Sequence, residues 1–501
     1  MQCLGTILLY ESDRSRRLAF KKQMIINRLL LMGLIMASAY LSLAQDIKNV
    51  PTESTLAQRA IEGEIDELVG QYQALDIFSG VVLVAEKGSP VYHKAFGLAD
   101  RTKGVANTVT TKFDIGSMNK TFTKMVILQL LEEDRLSLGD HLGEYLSGFP
   151  ATPARRVTVA HLLNHTSGYG DYFDQDYDSW TIEDKTIGAL VEHIKKMPLL
   201  FEPGTEMEYS NAGYILLGAI IEKITNRTYQ ENVSERIIQP LQLGETYVVP
   251  RAQVPDRAIG YYKTMKGDLL TNEWYDELPN PDGGFYATAL DLSKFYNEYY
   301  YGDRLVSMET KLKDERYKML EKHRQSGGAI PMAGGWQGAN TAYYEVLRDQ
   351  ISIVVFANMD EPVAEQLGLG ILNIIRGKEA QSPSLPAIQN VYKAYVADGI
   401  VYVQNNFEQL TVNFHPTDPK GIVLNHIGYQ YLKDEAYTEA IELFQLNTKL
   451  FSSDPNVWDS LGEAYQRTGA TLKAITCYKK AISLDPDFRP SLKKLNRLKG
   501  K

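Results

Sequence analysis

The sequence predicts an α+β domain built on an antiparallel sheet, followed by an all-α repeat module. Three observations carry that reading. A hairpin pattern over residues 80–96 is matched by a second near 341–357, with a long, mostly helical stretch between them, so one sheet is assembled from the two ends of a domain. Beyond residue 420 a set of apolar and small positions repeats every 34 residues, the period of a stacked helix pair. The chain has 501 residues and is 44% apolar, enough to house both parts and bury a large core.

Charge and cysteine content narrow the function classes. A net charge of -9 argues against a nucleic-acid partner, which calls for a basic stripe. Cys3 and Cys477 are the two cysteines, and Cys3 lies in a segment expected to be removed, so no disulfide framework is available.

The N-terminus reads as an export signal. Arg28 precedes an apolar run over residues 29–43, and Ser42-Leu43-Ala44 offers a small-x-small cleavage pattern before Gln45. Residues 1–44 are therefore expected to be a signal peptide. Residues 1–23, with Arg14, Arg16, Arg17, Lys21 and Lys22, form an extra n-region ahead of Met24, the more ordinary start. The apolar run falls short of the ~20 residues of a membrane span, so no stable span is expected after cleavage, an uncleaved anchor being the alternative. No cysteine follows it to take a lipid. The mature chain is expected in the periplasm or outside the cell.

An amphipathic helix over residues 57–75 leads into the first sheet signal. Gly80-Val81-Val82-Leu83-Val84-Ala85 is β-branched, Lys87-Gly88-Ser89-Pro90 is turn chemistry, and residues 91–96 return as a strand. The late hairpin pairs residues 341–347 with 351–357 through Arg348-Asp349-Gln350.

Between them stands Phe113-Asp114-Ile115-Gly116-Ser117-Met118-Asn119-Lys120, followed by the helical pattern of Phe122, Val126, Ile127, Leu130 and Leu131. The spacing puts Ser117 at a helix start and Lys120 one turn on, so the ammonium returns beside the hydroxyl. A lysine held near a serine in a partly dry site can lose its proton and serve as base, the S-x-x-K arrangement of serine acylating enzymes. A capped helix with a solvated lysine shows the same spacing.

Two further segments bear on chemistry. His161 and His165 are four apart, but Leu162 stands where a zinc-protease helix carries an acid, so His165 is expected to be hydrogen-bonded in its loop and no metal is expected. After the turn Phe201-Glu202-Pro203-Gly204, Tyr209-Ser210-Asn211 precedes a helix over residues 213–223, with Tyr209 and Asn211 on one side. The phenol suits proton relay and the amide suits orienting a carbonyl or the lysine; a helix cap beside a packed aromatic is the plainer reading.

Together with Leu162 to Gly168, Leu216-Leu217-Gly218, Pro240-Leu241-Gln242-Leu243-Gly244 and Gly283-Gly284-Phe285-Tyr286-Ala287-Thr288, these segments occur in the order and spacing of the serine β-lactamase-like family. Residues 60–376 resemble its branch of class C β-lactamases, D-amino-acid peptidases and esterases. The resemblance implies a β-lactamase/transpeptidase-like fold, an antiparallel sheet with a helical lobe and the site in the cleft between. It also implies Ser117 as nucleophile, Lys120 as base, Tyr209 as proton relay, Asn211 as orienting amide, and no cofactor.

The third family motif departs from its pattern. Where that strand usually carries lysine or histidine, then one residue, then glycine, this chain has Met332-Ala333-Gly334-Gly335-Trp336-Gln337-Gly338. The glycines still let backbone approach a substrate, and the N–H groups of Ser117 and Gly335 are expected to form the oxyanion hole. Met332 cannot pair with a substrate carboxylate, which removes a charge-assisted hydrogen bond of about 1.5–3 kcal/mol. A neutral ester or amide loses less.

After a linker at Gln381-Ser382-Pro383-Ser384-Leu385-Pro386 and an irregular helical stretch over 387–410, Leu424, Gly428, Tyr431, Ala440 and Phe444 recur 34 residues later as Trp458, Gly462, Tyr465, Ala474 and Tyr478. The pattern resembles tetratricopeptide repeats, with residues 387–410 a degenerate capping pair if the array is to reach about three repeats. A peptide-binding groove and a packing appendix both fit. The basic end, Arg489 to Lys501, reads as a solvated helix tail.

The expected organisation is a signal peptide (1–44), a serine hydrolase domain (46–378), a linker with degenerate helices (379–420) and repeats (421–499). The expected function is hydrolysis of an ester, amide or peptidoglycan-type peptide through a Ser117 acyl-enzyme, with a protein or peptide ligand for the repeats. The alternative is an inactive scaffold in which the cleft only binds.

Overall fold

The computed structural model describes residues 61–173, 177–360, 362–412 and 420–499. The expected signal peptide, the first residues of the helix predicted from 57, and Pro416-Thr417-Asp418-Pro419 lie outside them. Contacts divide the described residues into two units: one runs to Ser382 without 263–270, and the other takes Lys263–Leu270 and the residues from Pro383 onward.

The first unit is organised by a five-stranded sheet of β1 (Gly80–Glu86), β2 (Ser89–Phe96), β3 (Ala329–Trp336), β4 (Ala339–Val346) and β5 (Ile351–Ala357). Its order is β3-β4-β5-β1-β2, antiparallel throughout. β1 pairs with β5 from Gly80↔Ala357 to Glu86↔Ile351, so the two ends of the domain close on each other as the pattern predicts.

β4 and β5 are buried along their whole length and β1 along nearly all of it, because both faces are covered. Towards the lobe, Val81, Leu83, Val354 and Phe356 share a core with Phe122, Ile127, Ile215 and Leu216. On the sheet itself sits the helix Val363–Ile375, whose Glu365 carbonyl accepts the Tyr344 hydroxyl at 2.8 Å. β2 is the half-exposed edge: it opens with Ser89-Pro90 and places Lys94 against Glu62 and Asp66, which discourages pairing with another strand.

Two helices of the lobe set the site. Lys120–Glu132 and Asn211–Thr225 are buried nearly all round, as helices apolar on every face must be. The second starts two residues earlier than predicted, because Ser210 caps it by accepting the Gly213 N–H at 2.9 Å.

In the second unit, Ala387–Leu410 is two helices meeting at Gly399, whose φ of 76° no helix accommodates. Val391, Val403 and Phe407 pack with Val423, Leu424 and Leu443, so this pair begins the array. The repeats follow as Gly421–Lys433 with Tyr437–Leu450 and Pro455–Arg467 with Thr471–Leu484. A side chain at Gly428 would meet the Phe444 ring at 2.7 Å, and one at Gly462 the Tyr478 ring at 2.6 Å, so small residues let each pair close. Met265 packs on the first cluster and Lys266 pairs with Asp434 at 3.2 Å, which assigns residues 263–270 to this unit.

Within the basic end Lys494 departs from the solvated tail expected, whereas Arg489, Lys493 and Arg497 are exposed. Lys494, on the helix Arg489–Lys499, lies 2.6 Å from Asp459 and 2.9 Å from Glu463, and Ser491 donates to Asp459 at 2.6 Å. Charge neutralisation inside the last repeat holds it there. Lys494→Ala takes the lysine from two largely buried carboxylates, leaving Asp459 the Ser491 hydroxyl and Glu463 the Arg467 guanidinium at 3.7 Å, and is expected to destabilise this unit by about 1.5–3 kcal/mol. Urea unfolding together with hydrogen exchange over residues 489–499 checks this.

Candidate active site

Ser117 stands in a 3-10 turn, Gly116–Asn119, that runs into the helix Lys120–Glu132. The turn starts at Gly116 with φ +49°, and its N–H is held by the Asp114 carboxylate at 2.8 Å. Lys120 Nζ reaches Ser117 Oγ at 2.9 Å and the carbonyl of Asp282 at 2.6 Å. Tyr209 donates its hydroxyl to the same Ser117 Oγ at 2.8 Å. The predicted serine, lysine and phenol thus converge on one oxygen, across 92 residues of chain.

Electrostatics assigns the protons. Burial pulls the Lys120 ammonium down to about 8, against a partial offset from the carboxylates of Asp282 and Asp171. Burial drives the Tyr209 phenol the other way, far above its ordinary range. As pH rises through about 8 the amine is therefore the group that gives up a proton, and the phenol stays a donor.

Asn211 lies at the start of its helix with its side-chain amide donated to Asp171 Oδ2 at 3.2 Å. Burial raises the Asp171 carboxyl to about 7. Tyr172 donates to Asp282 at 2.8 Å, so two acids border the lysine. Neither Asp171 nor Asp282 stands in a motif that marks it in the sequence; Asp171 lies three residues after Gly168 and Asp282 directly before Gly283-Gly284, and those glycine-containing turns are the local signal.

The two histidines do separate work. His161 accepts the Thr158 N–H in a helix cap. His165, with φ +59°, accepts the Ser210 N–H at 3.1 Å and stacks on Tyr209 at 4.8 Å between ring centroids. Its imidazole is held neutral by burial.

Met332, Gly334 and Trp336 alternate along β3 toward the lobe. The Met332 sulfur accepts the Tyr300 hydroxyl at 3.7 Å, so it closes against the core. A side chain at Gly334 would sit 2.3 Å from the Ile115 carbonyl and 2.8 Å from the Ser117 nitrogen, and one at Gly116 would sit 2.5 Å from the Gly335 nitrogen. Backbone therefore lies directly on backbone, with the amides of Ser117 and Gly335 at the seam. Ala333 faces the other side of the strand. Beyond Gly335, Trp336 stacks on Tyr275 at 5.1 Å and packs against Phe173 at 5.5 Å, an aromatic wall.

A serine oxygen held between a buried amine and a phenol, in a cleft between an antiparallel sheet and a helical lobe, defines a serine hydrolase. The β-lactamase family profile matches residues 65–367, and the chain belongs to that family. A tetratricopeptide-repeat profile matches residues 455–488. The chain is 28% identical over 341 residues to penicillin-binding protein 4* of Bacillus subtilis (strain 168), covering 62% of this chain and 75% of that one. It is 27% identical over 260 residues to the protein Flp of Staphylococcus aureus (strain MW2), covering 51% of each, so it spans about half the length of that relative. In fold it is similar to an octameric penicillin-binding protein homologue from Pyrococcus abyssi, with a TM-score of 0.56 and 23% identity over 67% of this chain and 81% of that chain.

Asp171→Asn keeps an acceptor for the Asn211 amide and removes a negative neighbour of Lys120. Without it the ammonium is less favoured, so the Lys120 midpoint is expected to fall below about 8. NMR titration of the lysine, labelled by reductive methylation, reads the shift.

Proposed function

We propose that the chain is an exported hydrolase that cleaves a neutral ester or amide through a Ser117 acyl-enzyme. The convergence of Lys120 and Tyr209 on Ser117 Oγ, at 2.9 and 2.8 Å, carries the reading. Ser117 Oγ attacks the carbonyl carbon while its proton passes to the neutral amine of Lys120. The oxygen of the tetrahedral intermediate takes its negative charge between the N–H groups of Ser117 and Gly335. The leaving oxygen or nitrogen takes the Tyr209 proton, and the phenol is recharged from the Lys120 ammonium. Water then attacks the ester carbon of the acyl-enzyme by the same relay in reverse and frees Ser117.

Substrate preference follows from Met332. With a thioether packed on Tyr300 where the family's strand carries a cation, the cleft offers no partner there for a substrate carboxylate. The aromatic wall beside Gly335 suits an apolar acyl or leaving group. Penicillin-type and free-carboxylate peptide substrates are accordingly poorer than neutral ones. The apolar run over residues 29–43 supports export to the periplasm or exterior, and the repeats supply a surface for a protein or peptide ligand.

A fluorophosphonate is expected to label the wild type and leave Ser117→Ala unlabelled; an unlabelled wild type that still binds partners returns the chain to the scaffold reading. On a p-nitrophenyl ester, kcat/KM is expected to rise with pH through about 8, because the base is the deprotonated amine of Lys120. Met332→Lys is expected to raise kcat/KM for nitrocefin or a D-alanyl peptide by about tenfold or more relative to the ester, the size of one charge-assisted hydrogen bond. Steady-state kinetics on the three substrates measures it.

A further inference from the structure

The nucleophile turn rests on a second pair of acids that the reaction itself does not use. Asp114 accepts the Gly116 N–H at 2.8 Å, and its carboxyl is hydrogen-bonded to the carboxyl of Glu277. Two carboxyl groups in hydrogen-bond contact cannot both carry charge at low cost, so they hold one proton between them. Their surroundings sharpen this. Arg251, a cation that acts on both acids, is already engaged by the carbonyls of Asn272 and Tyr275, by the Asn272 side chain and by Glu273. The other groups facing the pair are Asp282, Lys185 and the phenols of Tyr177, Tyr275 and Tyr286.

The pair joins two backbone segments that matter for Ser117. Asp114 holds the left-handed turn at Gly116, where an added side chain would meet the Gly335 nitrogen at 2.5 Å. Glu277 lies against the loop of Gly283 and Gly284, where added side chains would meet its Oε1 at 3.7 Å and its Cγ at 3.1 Å. That loop presents the Asp282 carbonyl to Lys120.

We propose that Asp114 and Glu277 are positioning residues that share one proton and thereby clamp the Ser117 turn to the loop that holds Lys120. The clamp rests on the acyl-transfer reading above. Burial pushes both carboxyls up, Glu277 well above its ordinary range, while the Gly116 N–H and Arg251 pull Asp114 partly back. Loss of the shared proton as the pH rises leaves two facing anions, which repel and release the turn.

Kinetics of two variants and the Gly116 amide resonance test the clamp. In the wild type, kcat/KM on a neutral ester is expected to rise as Lys120 loses its proton and then fall on the alkaline side. In Glu277→Gln the amide still donates to Asp114 but has no such proton to lose, so the alkaline fall is expected to disappear. Asp114→Ala is expected to lower kcat about 10- to 100-fold with little change in KM, the size of effect a misplaced nucleophile produces. Independently of turnover, the Gly116 amide resonance is expected to show an alkaline step in the wild type that is absent in Glu277→Gln. An unchanged alkaline limb in Glu277→Gln, or a Gly116 amide with the same pH response in both proteins, overturns the clamp. A wild type without turnover removes the catalytic reading, and the Gly116 resonance still decides whether the acids share a proton.

Discussion

Everything at the site depends on keeping Lys120 out of water. An exposed ammonium holds its proton to about pH 10.5, whereas burial brings Lys120 down to about 8, within reach of a working enzyme. That requires the serine helix to be buried on nearly every face, and hence a sheet on one side and the Asn211 helix on the other. The same burial acts on Tyr209 with opposite sign. One desolvating environment thus yields a base and an acid from two neighbouring groups.

Much of the cost of this burial is offset by pairing the polar groups around the amine. Lys120 has the Asp282 carbonyl, Asn211 has Asp171, and the Gly116 N–H has Asp114. The cleft is consequently rich in carboxyl groups and, at Met332, lacks the cation usual for the family's strand. The proposed preference for a neutral carbonyl substrate rests on that charge balance.

The repeat module solves a different problem with different chemistry. Its helix pairs close over Gly428 and Gly462, against the rings of Phe444 and Tyr478, and the array begins with the pair split at Gly399. Its far end is held by Lys494 between Asp459 and Glu463, a contact that makes the final helix part of the array.

By itself the sequence determined what local periodicity and ordered motifs can carry: the two hairpins, the serine helix, the 34-residue repeat, and Ser117, Lys120, Tyr209 and Asn211 as candidates for one site. Strand alternation and helix spacing are short-range properties, legible without neighbours. The tertiary structure decided the roles of Asp171, Asp282 and Glu277, the split of the histidines between a cap and a stack, and the docking of Lys494. Each of these depends on what a side chain meets across tens or hundreds of residues, and on how much water is left around it. A carboxylate in a turn reads alike whether it faces solvent or a buried amine, and only the packed fold distinguishes the two.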